Sequence, residues 1–512
     1  MAHGKGPVAR VIMKRLGGNR LQVNAVDQNL PEKIRQDRSV VVIGGGIAGL
    51  VAAAVLSARG FKVSLFESKD YLGGKIGSWP VRFKDGFNTQ VEHGFHAFFR
   101  QYHNLRMFLD RIDCSKHLIP IDDYLISTLD HGNYGFKGIK TTPLLNMLSM
   151  AKHKVYKLKD MMKNPESRRL LAFLQYDAEN TFARFDHLSY EQFAELAGLP
   201  PEMRVIFSTF TRAFFAESHL MSMAEMIKSF HFYFLSNDLG LIYDVLRDDF
   251  ETTFIGPARK YLVERGVDIR LNKPVGKLGR RGEGFVLGKK PFDYTVLAAD
   301  VLGVTSIAEG SAFLREENPE SFQKLSGLKA SQRYSVLRLW MDRPLKQDLP
   351  FFIFTDRVKL LDSISLYHKI EAASSQWAEK THGGVFELHS YAVPDDVQDK
   401  AEVRKHLLEE LYAYYPELAS AKILYEYHQL RDDFTSFHTG LYAQRPTHDP
   451  GINNLYLAGD WVKLPYPAML MEASTTSALL SANAILAREG LRAEPVYSVP
   501  LKGLFSKGRK KP

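Results

Sequence analysis

Residues 40–49 read VVVIGGGIAG, and the next apolar run, KVSLFE, closes on an acid, Glu67. Val40 to Ile43 has the composition of a buried strand, and Ala48 to Ala58 that of a helix. The glycines between them have separate tasks. Gly44 permits a tight turn, Gly46 lets backbone approach a pyrophosphate, and Gly49 lets the helix pack closely on the strand. The pyrophosphate would rest on the helix N-terminus, where free N–H groups and the dipole favour an anion. Glu67 lies 18 residues past Gly49, the spacing of a carboxylate that grips a ribose hydroxyl. An acid there favours an adenosine without a 2′-phosphate, hence FAD or NAD over NADP. A glycine turn without a ligand is the plain alternative. Strand, helix, second strand and acid in register weigh against it.

The chain of 512 residues is long enough for two or three domains. Its net charge of +9 would suit nucleic acid or an anionic membrane surface. Basic residues are spread along the chain and no nucleic-acid motif occurs, so nucleic acid is not expected as a partner. A single cysteine, Cys114, allows no disulfide or cysteine metal site within the chain and fits a reducing compartment. No HExxH-type histidine spacing occurs, so no metal is expected. The segment to Arg38 is basic and lacks the apolar core of a signal peptide. No uninterrupted apolar run is long enough to span a bilayer. A cytoplasmic protein, peripheral to the membrane, is therefore expected. The basic stretch Ser506 to Pro512 reads as disordered, solubilising chain, with contact to acidic lipid as the alternative.

A second pair of glycines, Gly73-Gly74, precedes Lys75, a cation suited to a pyrophosphate. From Val91 the chain reads VEHGFHAFFR, a polar and aromatic cluster that leads into an amphipathic helix. The stretch from Cys114 to Phe250 reads as mostly helical and rich in aromatic residues. These rings suit core packing, and also a long apolar tunnel beside a cofactor. Strand signals return at Val267–Leu271 and Tyr294–Ala298, and again in the runs YSVLRLWM, FFIFT and VFELHSYAV. Near the C-terminus a strand ends in Gly459-Asp460, followed by prolines and a helix from about Met469. Strand, Gly-Asp turn and helix form a second cradle, in which Asp460 would accept ribityl hydroxyls or serve as a simple turn residue.

These pieces, in this order, resemble the FAD-dependent amine oxidase and carotenoid desaturase superfamily from about Ser39 to Glu489. The resemblance implies an α/β fold: a Rossmann-type FAD-binding domain (glutathione-reductase-like, amine oxidase type) with an inserted α+β substrate domain. It implies that Gly44, Gly46, Gly49, Gly73, Gly74 and Lys75 hold the diphosphate and that Glu67 holds the adenosine ribose. Val275 would touch adenine, and Gly459, Asp460 and Met471 the ribityl chain and flavin ring. FAD then replaces NAD as the expected cofactor, because an NAD enzyme has no use for the second cradle. The implied organisation is a basic N-terminal extension (1–38), a discontinuous FAD domain (39–100, 251–310 and 450–490), a helical substrate and membrane region (101–250), a β-rich substrate domain (311–449) and a basic tail (491–512).

Within the superfamily, GGKIGSW and EHGFHAFFRQYHNLR are similar to the plant and cyanobacterial carotene desaturases. They are more similar to the β-carotene desaturase/methyltransferases of isorenieratene synthase type. VFELHSYAV, LPYPAMLMEASTTSALLSANAIL and PVYSVPLKGLF point the same way. His93 is a departure, since plant-type desaturases usually carry an apolar residue there. The resemblance implies desaturation of a β-ring, an intramolecular methyl shift and an aromatic end group. Glu92, His93 and His96 are the candidates for the base that takes the proton, as an imidazole near neutral pKa would. The plain alternative is that both histidines are hydrogen-bonded core residues. A lipid-dissolved carotenoid substrate implies peripheral membrane contact, for which Thr141 to Lys163 offers a Leu-, Met- and Lys-rich segment. An ordinary surface helix fits that segment as well. A quinone-type electron acceptor follows by analogy alone, and the oligomeric state is not legible. The competing functions are a linear (ζ-carotene type) desaturase, a carotene isomerase, a flavin amine oxidase and a non-catalytic carotenoid or flavin carrier.

Overall fold

The computed structural model describes residues 6–506 apart from 122, 131, 153–164, 200, 241 and 398. A five-stranded parallel sheet runs in the order Asp268–Arg270, Lys62–Phe66, Ser39–Ile43, Tyr294–Leu297, Leu455–Leu457. Its central strand is covered on both faces, which is why VVVI is a continuous apolar run without alternation. The helix Ile47–Ala58 follows directly and is buried along nearly its whole length. It packs against the long helix Leu470–Arg488. Small side chains at Ala52, Ala53, Ala54, Ala478 and Ala482 make a thin interface for that pair.

A second sheet of seven strands runs Ile423–Arg431, Tyr334–Met341, Gly384–Ser390, Ser363–Leu366, Phe352–Thr355, Leu125–Thr128, Gly132–Gly135. The last two strands come from the stretch that reads as helical, so the expected boundary between 101–250 and 311–449 is crossed by this sheet. Leu125–Thr128 joins in parallel beside Phe352–Thr355. With four residues per strand, neither segment is long enough to establish a sequence period. Helices do fill much of the region from Ala178 to Phe230. One face of the sheet, through Leu337, Leu339 and Leu388, packs on Val403, Leu407 and Leu411 of the helix Lys400–Tyr414. The opposite face carries Val336, Arg338 and Trp340, and from the neighbouring strand Val385, Glu387 and His389, because side chains alternate along a strand.

A two-stranded ribbon, Ser78–Arg82 paired with Asn88–Glu92, leads from the parallel sheet to this opposite face. Residues grouped by composition into a basic tail also fold back onto the body. Leu491, Val496, Val499 and Leu504 are buried, and Leu21–Gln22 pairs with Tyr497–Ser498. Residues 507–512 of that tail, and residues 153–163 of the basic segment Thr141 to Lys163, lie outside the described residues. Among the described residues no helix is long and apolar enough to cross a membrane.

The closest backbone approach lies at the first turn. A Cβ on Gly49 would fall 1.8 Å from the Gly44 carbonyl oxygen. Gly49→Ala should therefore push the helix off the strand, at a cost of about 1–3 kcal/mol or more, and expel the cofactor. Flavin absorbance and a thermal melt of the purified variant measure both effects; wild-type values would mean the turn has slack.

Candidate active site

The two glycine segments meet. Gly46 and Gly73 form a parallel bridge, and Gly73 N–H donates to Gly45 O at 2.8 Å. Gly44 has φ +110°, and a Cβ there would lie 2.4 Å from Ala298 O. Gly46 differs: the nearest atoms to a Cβ would be 3.9 Å away, so its surface is left open, as close approach of a ligand requires. Glu67 is buried beside this turn and accepts from Gly45 N at 2.6 Å and Lys69 N at 2.8 Å. Val275 and Phe66 line a cleft at the outer end of the same sheet edge.

At the inner end stands half-buried Lys75. Burial alone would lower its pKa, but Asp460, Asp433 and Asp300 outweigh that and keep the ammonium charged. Asp460 accepts from Thr435 Oγ1 at 2.7 Å. A Cβ on Gly459 would lie 2.3 Å from Trp461 Nε1, so the Gly-Asp turn can close only with glycine. Asp460, Met469 and Leu470 share a cavity with Lys228 and Arg445. Met471 follows in the first turn of the helix Leu470–Arg488, whose N-cap residue Met469 contributes no side-chain acceptor. Its leading amides are thus suited to a ligand oxygen. The residues present fit an extended dinucleotide: an acid and an apolar cleft at one end, bare glycine backbone in the middle, a cation, an aspartate and a helix N-terminus at the other.

Glu92, His93 and His96, adjacent in sequence, are turned to different neighbours. His93 is buried and faces Asp433 and Tyr334. Its Nε2 lies 3.6 Å from Asp433, and the Tyr334 hydroxyl lies 3.2 Å from both ring nitrogens while donating to Asp433 at 2.8 Å. Burial lowers the His93 pKa, with Asp433 pulling the other way. Burial would raise Asp433, but His93, Lys75 and Tyr334 hold it well below the usual carboxylate range. His96 stands edge-on to Phe250, with ring centres 5.6 Å apart. Its Nδ1 lies 2.7 Å from Gly94 O. A carbonyl can only accept, so Nδ1 carries the proton and Nε2 the lone pair. Burial pushes this imidazole down to about 4 and keeps it neutral. Phe95, between the two histidines, stacks on Phe352 at 4.6 Å.

Glu92 is turned away from both, into a buried cluster around Arg338. The guanidinium is 2% exposed and meets Glu387 at 2.8 Å, Glu92 at 3.2 Å and Glu371 at 3.5 Å. Arg338 and Glu387 are register partners on adjacent strands. Glu92 also accepts from Phe250 N at 3.0 Å and Tyr367 Oη at 3.2 Å. One cation cannot balance three buried carboxylates. Burial raises Glu92 well above the carboxylate range, with Glu371 adding to it and Arg338 opposing it. Burial likewise raises Glu371. Glu387 goes the other way: Arg338 and His389 overcome its burial and bring it to about 2. Glu387 is thus the ionised partner of Arg338, while burial and the neighbouring Glu371 push the Glu92 carboxyl towards its neutral form.

Sequence reasoning singled out the glycines, Glu67, Lys75, Asp460 and the EHGFH segment, and the structure gathers the glycines with Glu67 and sets Lys75 in the field of Asp460. It missed Arg338, Glu387, Glu371, Tyr334 and Asp433. A signal existed for the first two, each a lone charge inside an apolar strand run, YSVLRLWM and VFELHSYAV. Asp433 carries none, because it lies in the irregular segment after Arg431 and reaches His93 only through the fold.

A family model described as flavin containing amine oxidoreductase matches residues 47–486. A carotenoid phi-ring synthase of Streptomyces griseus is 35% identical over 480 residues, 91% of each chain. A carotenoid phi-ring synthase of Chlorobaculum tepidum is 27% identical over 94% of this chain and 93% of its own. Among solved structures, an oxidoreductase from Methanosarcina mazei covers 86% of this chain and 99% of its own at a TM-score of 0.62 and 16% identity, a likeness of fold.

The Arg338 cluster has a measurable signature. Because Glu387 is depressed in the folded state, its stabilisation is complete above the ordinary value of 4.5 and is lost as pH falls through about 2. Arg338→Met should lower stability near neutral pH by roughly 3–5 kcal/mol and remove that acid-side loss. Thermal unfolding of both proteins across the acid range tests this; parallel curves would rule out charge pairing as the cause.

Proposed function

This chain belongs to the flavin-containing amine oxidoreductase family and uses FAD, and from that premise we propose that it is a carotenoid enzyme that desaturates a β-ring with methyl migration to give an aromatic end group. One observation carries the reading: 35% identity over 480 residues, 91% of both chains, to a carotenoid phi-ring synthase.

FAD, when bound, accepts a hydride from a C–H position of the substrate. The protein's own residues must hold the ring, exclude water and receive protons. Loss of hydride leaves a cation beside the carbon that carries two methyl groups. A methyl then moves with its bonding pair to the adjacent carbon, and the charge moves the opposite way. A ring C–H next gives up its proton, and its electron pair becomes a new ring double bond. His96 Nε2 is the group proposed to take that proton, since its lone pair is free in the tautomer set by Gly94 O. A second oxidation completes the aromatic ring. No external methyl donor enters. The rings of Phe95, Phe250 and Phe352 surround this end of the loop and suit both an apolar substrate and a transient cation. Phe98 is buried behind them, and Phe99 contacts Tyr233 and Tyr243.

A carotenoid dissolves in lipid, so peripheral membrane contact belongs to the same proposal. The described part of the Thr141–Lys163 segment includes the helix Leu145–Lys152, on which Leu148 is exposed. A quinone-type acceptor is the proposed sink for the electrons, in keeping with a lipid setting.

Expression in a host that accumulates β-carotene, followed by pigment analysis, tests the reaction. Aromatic-ring carotenoids are expected. Unchanged β-carotene beside altered linear carotenes would instead favour a linear desaturase or an isomerase, and peroxide release with amines an amine oxidase. Bound FAD that no polyene alters would mark a carrier. In the same host His96→Ala should retain FAD and lose most turnover, roughly a hundredfold or more. Full activity in that variant would remove His96 from the chemistry.

A further inference from the structure

The Gly94–Phe95 peptide group is held at both ends. Its N–H donates to Glu387 Oε1 at 2.9 Å, and its carbonyl accepts from His96 Nδ1 at 2.7 Å. Glu387 is fixed in turn: Arg338 Nε donates to Oε2 at 2.8 Å, and His389 Nε2 lies 2.8 Å from Oε1. The loop cannot slide on the sheet. Gly94 has φ +126°, and a Cβ there would lie 3.2 Å from both His389 and Val336.

We propose that Glu387 is a positioning residue that acts on His96 through this one peptide group, in a carboxylate–peptide–imidazole relay. The physical basis is amide resonance. A negative charge at the N–H end favours the resonance form with the electron pair on the carbonyl oxygen. That oxygen becomes a stronger acceptor, as in any chain of polarised hydrogen bonds. The Nδ1–H bond of His96 is drawn towards it, the tautomer is fixed, and Nε2 gains basicity. A carboxylate that orients a histidine directly is the familiar arrangement. Here a planar peptide stands between the two, so the carboxylate acts from the sheet without touching the imidazole itself. The charged and titratable groups that face His96 are Glu387 and His389 from the sheet and His93 from its own loop. Burial works against protonation of His96, and the Gly94 carbonyl is the largest influence in its favour. Because Arg338 and His389 overcome Glu387's own burial, it remains the anion that the relay requires. The relay deepens the reading of His96 as the proton acceptor and rests on it.

The test uses holoenzyme labelled with ¹⁵N only in histidine. In the wild type the His96 signals should report Nδ1 protonated and Nε2 bare; the opposite tautomer overturns the relay without any variant. Glu387→Gln keeps an acceptor oxygen of the same size but removes the charge. It should retain FAD, move the His96 Nε2 resonance, and lower turnover about ten- to a hundredfold. On a His96→Ala background the same substitution should cost nothing further, since both changes interrupt one path. An unmoved Nε2 resonance, or an additive loss, overturns the relay and leaves Glu387 with a purely structural task. If His96→Ala alone retains activity while Glu387→Gln still moves the resonance, the relay stands and the assignment of His96 as base fails.

Discussion

Arg338 brings one buried positive charge among three carboxylates, Glu92, Glu371 and Glu387, that reach it from separate parts of the chain. Such a group is stable only with partners, because an isolated charge in this setting would cost several kcal/mol or more. The requirement ties the ribbon that ends at Glu92, the strand of Glu387 and the segment after Tyr367 to a single point. The EHGFH loop begins at that point. Its first residue, Glu92, is anchored there, and three residues on, at Phe95, its backbone is held by Glu387. A different arrangement of the three acids would alter the loop before it altered the cofactor cradle.

The cradle depends on another constraint, the absence of side chains. Gly44, Gly46, Gly49, Gly73 and Gly74 bring a turn, a helix and a second turn within atomic contact and leave the backbone at Gly46 uncovered by side chains. Electrostatics link this part to the loop. Lys75 lies in the field of Asp460, Asp433 and Asp300, and Asp433 in turn lies beside His93 and Tyr334. Lys75 and the EHGFH loop are therefore linked through Asp433.

Much of this was legible in the chain because it is local. The strand–glycine–helix unit spans Val40 to Ala58 and carries its own instructions: apolar β-branched residues, obligatory glycines and then an alanine-rich helix. The register of Glu67 follows from a single crossover. Leu125–Thr128 was not legible, because it and its hairpin partner Gly132–Gly135 are too short to show a period and its place in the sheet is set by Phe352–Thr355, more than two hundred residues away. Glu92 looked like a base in sequence because it neighbours two histidines, yet a strand end sends consecutive side chains to opposite sides, so it faces Arg338 while His93 faces Asp433.

The sequence by itself determined the FAD-type cradle and the family, since both rest on short motifs whose backbone geometry only glycine permits and whose spacing is set within one βαβ unit. It also singled out EHGFH as the candidate for the reactive segment. Only the tertiary structure decided how the three ionisable side chains of that segment divide. Protonation and orientation depend on desolvation and on charges contributed by distant strands. Glu92 is raised by burial beside Glu371, Glu387 is lowered by Arg338, and His96 takes its tautomer from a carbonyl whose peptide Glu387 holds. No spacing along the chain encodes those neighbours, because they come together only when the two sheets and the ribbon are in place.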